Sequence, residues 1–195
     1  GNINAVFADG DISVRMNEIV SNDVSYINFT DTKPIQIDNR TLTPARAMAE
    51  AAGMEVEWDQ PTQTALLTLK ADANSDRTIE RFASEAINKI DGLGLDMTPT
   101  SITAALRLND SNAVIRYNFT DSDGDNVPFG KDYEMVSQAV FIEDGTLMIP
   151  IRDSMEMFGL DIEWYQDELC AEVNIPEEID IPEGLAIIPN HGNGK

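Results

Sequence analysis

The chain has 195 residues, 42% of them hydrophobic and 25% charged, with 13 Lys+Arg against 35 Asp+Glu for a net charge of −22. That is enough apolar side chain for a packed core in one or two domains, and its patterned spacing argues against wholesale disorder. The acidity weighs against nucleic acid and anionic lipid surfaces as partners, because both are read with Lys and Arg, and leaves positive partners or divalent cations open.

The chain opens on Gly1, which suggests a leader already removed. Ile3 to Ala8, Asp9-Gly10 and Asp11 to Met16 read as a β-hairpin on a tight Asp-Gly turn. Val24 to Thr30 reads as a further strand. A helix follows Arg40, with Thr43 as its cap and Pro44 at its first position. Ala45, Met48, Ala49 and Ala52 make one buried stripe. Gly53 supplies a left-handed stop. Met54 to Trp58 alternates as a half-buried strand, Asp59 to Thr62 turns, and Ala65 to Leu69 returns.

A stronger helix comes next, capped by Ser75 or Asp76. Ile79, Phe82, Ala83, Ala86, Ile87 and Ile90 form its apolar face, and Asp91-Gly92-Leu93-Gly94 ends it. A stripe this complete is a core-packing device, docked on a sheet. Ile102 to Leu108 and Ala113 to Thr120 are strands around an Asn109 to Asn112 turn. A helix from Pro150 to Phe158 points Ile151, Met155 and Phe158 inward. Leu160 to Trp164 and Leu169 to Ile175 close the pattern. Cys170, the one cysteine, alternates with Leu169, Ala171 and Val173 and so reads as a packed, inert thiol among acidic neighbours. Pro176 to Lys195 reads as an extended, then frayed, tail. No apolar run approaches the ~18 residues of a membrane span.

The chain repeats itself. Leu42-Thr43-Pro44-Ala45-Arg46, Gly53 and Val56-Glu57-Trp58 recur 106 residues later as Met148-Ile149-Pro150-Ile151-Arg152, Gly159 and Ile162-Glu163-Trp164. Upstream, Asn28-Phe29-Thr30-Asp31 recurs as Asn118-Phe119-Thr120-Asp121 at an offset of 90, so the second copy carries 16 extra residues after Asp121. The expected fold class is α+β, as two tandem modules. Each is an antiparallel twisted sheet on a short helix, and an amphipathic helix connects them. The expected bounds are 1–72 and 99–176 for the modules, 73–98 for the connecting helix, 121–144 for an acidic insertion and 177–195 for the tail.

Asn39-Arg40-Thr41-Leu42-Thr43-Pro44-Ala45-Arg46, Gly53 and Val56-Glu57-Trp58-Asp59 resemble the copper amine oxidase N-terminal-like, or stalk, domain. The second copy matches this family less closely: Glu143-Asp144-Gly145-Thr146-Leu147 replaces Asn-Arg-Thr-Leu, and Gln166 follows Trp164-Tyr165. The resemblance implies an antiparallel sheet wrapped on a helix, secreted or at the surface of Gram-positive bacteria, with Pro44, Arg46, Gly53, Trp58, Pro150, Arg152, Gly159 and Trp164 as structural signature. Amine oxidase chemistry belongs to another domain, which holds copper with three histidines. One histidine, His191, cannot supply them, nor a three-histidine zinc site, so no copper is expected.

Asp121, Asp123 and Asp125, with Asp132 twelfth in the count, alternate as calcium ligands do. Asn126 at the sixth place and Pro128 at the eighth break the calcium-loop pattern, and a solvated acidic loop is the plainer reading. Arg46 and Arg152 sit near helix N-termini, where the dipole disfavours a cation, so each is expected to have a tertiary partner, a carboxylate or a Trp face. Trp58 and Trp164 read as core or semi-core side chains rather than sugar platforms. No spacing fixes two carboxylates across a cleft, and no phosphate loop, dinucleotide fingerprint or nucleophile elbow is present. The expectation is a non-catalytic extracytoplasmic spacer or binding module for a protein or cell-wall partner, without membrane insertion and of open oligomeric state. A calcium-stabilised adhesion module and a hydrolase with an unrecognised carboxylate pair are the alternatives.

Overall fold

A computed structural model describes residues 10–90 and 96–188. The first strand of the expected opening hairpin, the expected helix stop at Asp91 to Gly94, and His191 lie outside them. The chain is α+β and mostly antiparallel. Before the midpoint come β1 (Ser13–Glu18), β2 (Asp23–Tyr26), β3 (Ile35–Ile37), β4 (Arg40–Pro44), α1 (Ala45–Ala51), β5 (Glu55–Asp59), β6 (Thr64–Lys70) and α2 (Thr78–Asn88). After it come β7 (Thr98–Arg107), β8 (Asn112–Thr120), β9 (Asn126–Glu134), β10 (Val140–Phe141), β11 (Leu147–Pro150), α3 (Ile151–Glu156), β12 (Asp161–Tyr165), β13 (Cys170–Ile175) and β14 (Ala186–Ile187).

Three sheets form, ordered β12-β13-β1-β2, β10-β11-β4-β3 and β14-β9-β8-β7-β6-β5. Each crosses the boundaries that the repeat suggested at residues 72 and 99. β6 pairs antiparallel with β7, β4 antiparallel with β11, and β1 parallel with β13. The two halves therefore do not sit as separate bodies, and one continuous cluster of buried side chains runs through both. The β4–β11 ladder joins Thr43 to Ile149, Leu42 to Pro150 and Pro44 to Met148. Thr43 and Ile149 are themselves 106 positions apart, so a local two-fold axis passes between corresponding residues, as in an isologous dimer interface. The correspondence stops at the first strands. β1 meets β13 in parallel, whereas β7 meets β6 antiparallel.

The short helices follow their apolar spacing. Ala45, Met48, Ala49 and Ala52 in and just after α1 are at most 3% exposed, as are Ile151, Met155 and Phe158 in and just after α3. Their starts differ from expectation. Pro44 and Pro150 occupy the cap positions, and Thr43 lies in β4, fully buried, with its Oγ1 lacking a hydrogen-bond partner. A strand residue directed into the core cannot also turn back on the helix end. α2 packs on β6 and β7 with Ile79, Phe82, Ala83, Ala86, Ile87 and Ile90 buried. Arg77 holds its cap position. Ser75 lies two residues earlier, where its Oγ accepts the Arg77 N–H at 3.0 Å and donates to Glu80 Oε1 at 2.7 Å.

Within the acidic insertion, 121–144, Asp121 to Asp125 form a turn at the surface and the chain runs on as β9 and β10. The extended stretch after Pro176 is docked as far as Ile188. Ile179 is 5% exposed, Lys89 donates to its carbonyl, and β14 pairs with β9. Among the described residues no helix is long and apolar enough to cross a membrane.

Candidate functional site

The signature prolines, arginines and tryptophans of both halves converge on two grooves related by the local axis. In each, the proline and arginine that open a short helix face a tryptophan on the following strand. The hairpin turn of the opposite half closes the groove. The first, about 480 Å³, sets Pro150, Arg152 and Trp164 against Asn39, Arg40 and Thr41. The second, about 260 Å³, sets Pro44, Arg46 and Trp58 against Gly145, Thr146 and Leu147. Neither half could form its groove alone.

Within them the tryptophans are held alike. Trp58 lies opposite Ala65 on β6, and Trp164 opposite Ala171 on β13. Each methyl leaves room for an indole that is half-buried. Trp58 Nε1 donates to Gln60 Oε1 at 2.7 Å and Trp164 Nε1 to Gln166 Oε1 at 2.9 Å. Gln60 and Gln166 are themselves 106 apart, a repeat signal that the Trp-Asp versus Trp-Tyr mismatch hides.

The arginines differ from expectation. Arg46 approaches Glu50, one turn on, at 3.7 Å and is otherwise open to solvent. Arg152 meets Glu156 at 3.4 Å and donates to the Ile162 carbonyl at 3.0 Å, so it alone ties its helix to the Trp strand. Neither stacks on a tryptophan among the described residues; the cation–π contacts are those of Arg15 over Tyr26 and Tyr165.

The hairpins that close the grooves are unlike. β3 and β4 join through Asp38 and Asn39, both with positive φ (51° and 63°), which matches the two-residue turn that fits the strand twist. Ile37 pairs with Arg40 across it, so Arg40 is carried at a fixed place over the first groove. It has no ion-pair or hydrogen-bond partner among the described residues. The β10–β11 connection is longer. It puts Phe141 against Trp58, ring centroids 5.3 Å apart at 69°, an edge-to-face pair. No ring meets Trp164 among the described residues.

Asp153 is the residue that spacing did not reveal. It lies in the first turn of α3, 5% exposed, and its Oδ2 accepts the Val136 and Ser137 N–H groups at 3.0 and 3.1 Å. That bond fixes the β9–β10 loop to the edge of the first groove. Among the described residues Asp153 is the one carboxylate lining that groove, and none lines the second. A lone carboxylate whose oxygen already accepts two backbone donors cannot serve as the facing acid–base pair of a glycosidase.

The expected calcium-loop residues lie outside the grooves. Asp121 Oδ1 accepts the N–H groups of Asp123 and Asp125, each at 2.9 Å, and closes the β8–β9 hairpin. The carboxylates of Asp121, Asp123 and Asp125 lie within 4.8 Å of one another. Asp132 does not join them, being on β9 opposite Val114. The twelve-residue ligand count fails because the segment runs on as a strand instead of coiling back. Cys170 is 1% exposed, and burial pushes its thiol above the usual range.

No curated protein and no solved structure matches the chain. Residues 20–115, which carry Pro44, Arg46, Gly53 and Trp58 and end within β8, match the family model of the copper amine oxidase N-terminal domain, a non-catalytic, stalk-like domain.

Proposed function

We propose that this chain is a non-catalytic spacer and binding module of a secreted or cell-surface bacterial protein, built as a fused pair of stalk-like units and contacting a protein or cell-wall partner. The observation that carries the reading is the groove at the seam, where Trp164 and Arg152 of one half face Arg40 of the other without a second carboxylate. Such a surface offers an aromatic face and cations for binding and no acid–base pair for turnover. One histidine cannot supply a three-histidine copper site, and the charge of −22 opposes nucleic acid and anionic membranes.

Two measurements test this. Protease shaving of intact cells should release peptides of the chain, and their recovery from the cytosolic fraction alone would overturn the compartment. Screening against glycan and peptide substrates should give no turnover. Turnover that fell with Asp153→Asn would establish the hydrolase alternative instead. The calcium alternative rests on the three clustered carboxylates; a rise in melting temperature with millimolar calcium, lost in Asp123→Asn, would favour it.

A further inference from the structure

We propose that the Trp164 groove docks a peptide segment in which an aromatic side chain is followed closely by carboxylates. This rests on the binding-module reading and names the partner chemistry of its groove.

The molecule holds an intramolecular precedent. In the ladder, Gln36 pairs with Thr41 and Phe141 pairs with Leu147, and Thr41 and Leu147 are 106 apart. Gln36 therefore stands at the first groove where Phe141 stands at the second. Phe141 covers Trp58 edge-on, 45% exposed itself, and the chain continues from it as Ile142-Glu143-Asp144. At Trp164 the corresponding ring is missing. Gln36 takes its place, the groove is the larger of the two, and Val136 at its edge is 66% exposed. The indole, fixed by Gln166, thus presents a face of the kind that receives a phenyl ring on the other side of the axis.

Charge selects the flank. Arg40 and Arg152 line the first groove, whereas the second has Arg46 with Thr146 in the place of Arg40. Two of 13 basic side chains thus meet in one groove of a chain with net charge −22. The single carboxylate there, Asp153, has an oxygen engaged by backbone donors. An acidic stretch beside the aromatic anchor meets these two cations at short range, where they outweigh the repulsion of the net negative surface, and a basic stretch meets like charge inside the groove.

The test uses the whole chain with Trp58→Phe, so that Trp164 is the only indole, and a blocked synthetic peptide copying residues 140–146. A saturable change in Trp164 emission is expected. Replacing the peptide phenylalanine by alanine, or its two acids by amides, should weaken binding at least about tenfold, as should Arg40→Ala in an exposed turn that leaves the fold intact. Equal affinity for the amide peptide and for Arg40→Ala would overturn the proposal, as would no saturation at millimolar peptide. Chitotetraose is the second titrant. Its binding without peptide binding would overturn the peptide proposal while leaving the binding-module reading standing. Turnover of either compound would overturn that reading instead.

Discussion

At the residue scale, the most connected side chain is one that motif reading passes over. Arg15 on β1 donates to Glu172 Oε2 at 2.6 Å, to Tyr26 Oη at 3.1 Å and to Glu168 at 3.3 Å, and lies 5.0 Å from the Tyr165 ring centroid. Burial opposes its charge, but the hydrogen bonds to Tyr26 and Glu172 outweigh that and hold it protonated above its ordinary range. Glu172, 8% exposed, would be left as a nearly buried carboxylate without a counter-charge, with the Asn17 amide at 3.4 Å, if Arg15 were removed. Arg15→Ala should therefore cost about 3 kcal/mol in denaturant unfolding, and Glu172→Gln in the same background should recover part of it. Tyr117, fully buried on β8, gives a pH signature. Burial raises its phenol above the ordinary value of 10.0. Above that pH the unfolded chain releases a proton that the folded chain keeps, so stability is intact below about pH 10 and falls as pH rises toward the folded value. The melting temperature should drop along this alkaline limb, and Tyr117→Phe should flatten it. Arg15 was not legible because its carboxylate partners lie over 150 positions away; Asp153 was not legible because its two partners are backbone groups. Trp58, Trp164 and the helix stripes were legible because local periodicity alone decides which face they bury.

At the scale of elements, both short helices end at a glycine that lies beside α2. Gly53 and Gly159 have φ of 82° and 86°, a region where other residues are strained. A Cβ on Gly53 would stand 2.6 Å from Ile79 Cγ2, and one on Gly159 would stand 3.5 Å from Phe82 Cζ. One face of α2 thus rests on both helix ends. Gly159→Ala should cost about 1 kcal/mol from the backbone alone, and Gly53→Ala about 3 kcal/mol because overpacking against Ile79 is added. Equal losses in thermal melts would refute the difference. The ladder at the axis makes the opposite prediction. Thr43 holds a buried hydroxyl without a partner where its counterpart is Ile149. Thr43→Val should raise stability by about 1 kcal/mol, read as an upward shift in the denaturation midpoint. The elements themselves were largely foreseeable from spacing and turn residues. Strand partners were not, since nothing local distinguishes β4 meeting β11 from β4 meeting its own half.

At the scale of the molecule, the repeat does not lie as beads on a string. Each half lends strands to the other's sheets, so neither owns a complete core. Residues 10–72 expressed alone should lack cooperative unfolding, because β4 and β6 would each lose a neighbour and expose Leu42, Leu67 and Leu69, all at most 1% exposed in the whole chain. The intact chain should melt in one transition, with far-ultraviolet and tryptophan signals coincident. Two separated transitions would restore independent modules.

The pairing of β1 with β13 also sets how the protein carries load. The strands run parallel over six pairs, from Ser13–Cys170 to Glu18–Ile175, about 20 Å at ordinary strand rise. Tension applied to the two ends of the chain would first peel β14 from β9. It would then pull β1 and β13 past each other along their length. Six rungs would resist together in shear instead of opening one at a time like a zipper. The Arg15–Glu172 contact lies across that same pair of strands, so a change at one side chain would register as a lower rupture force.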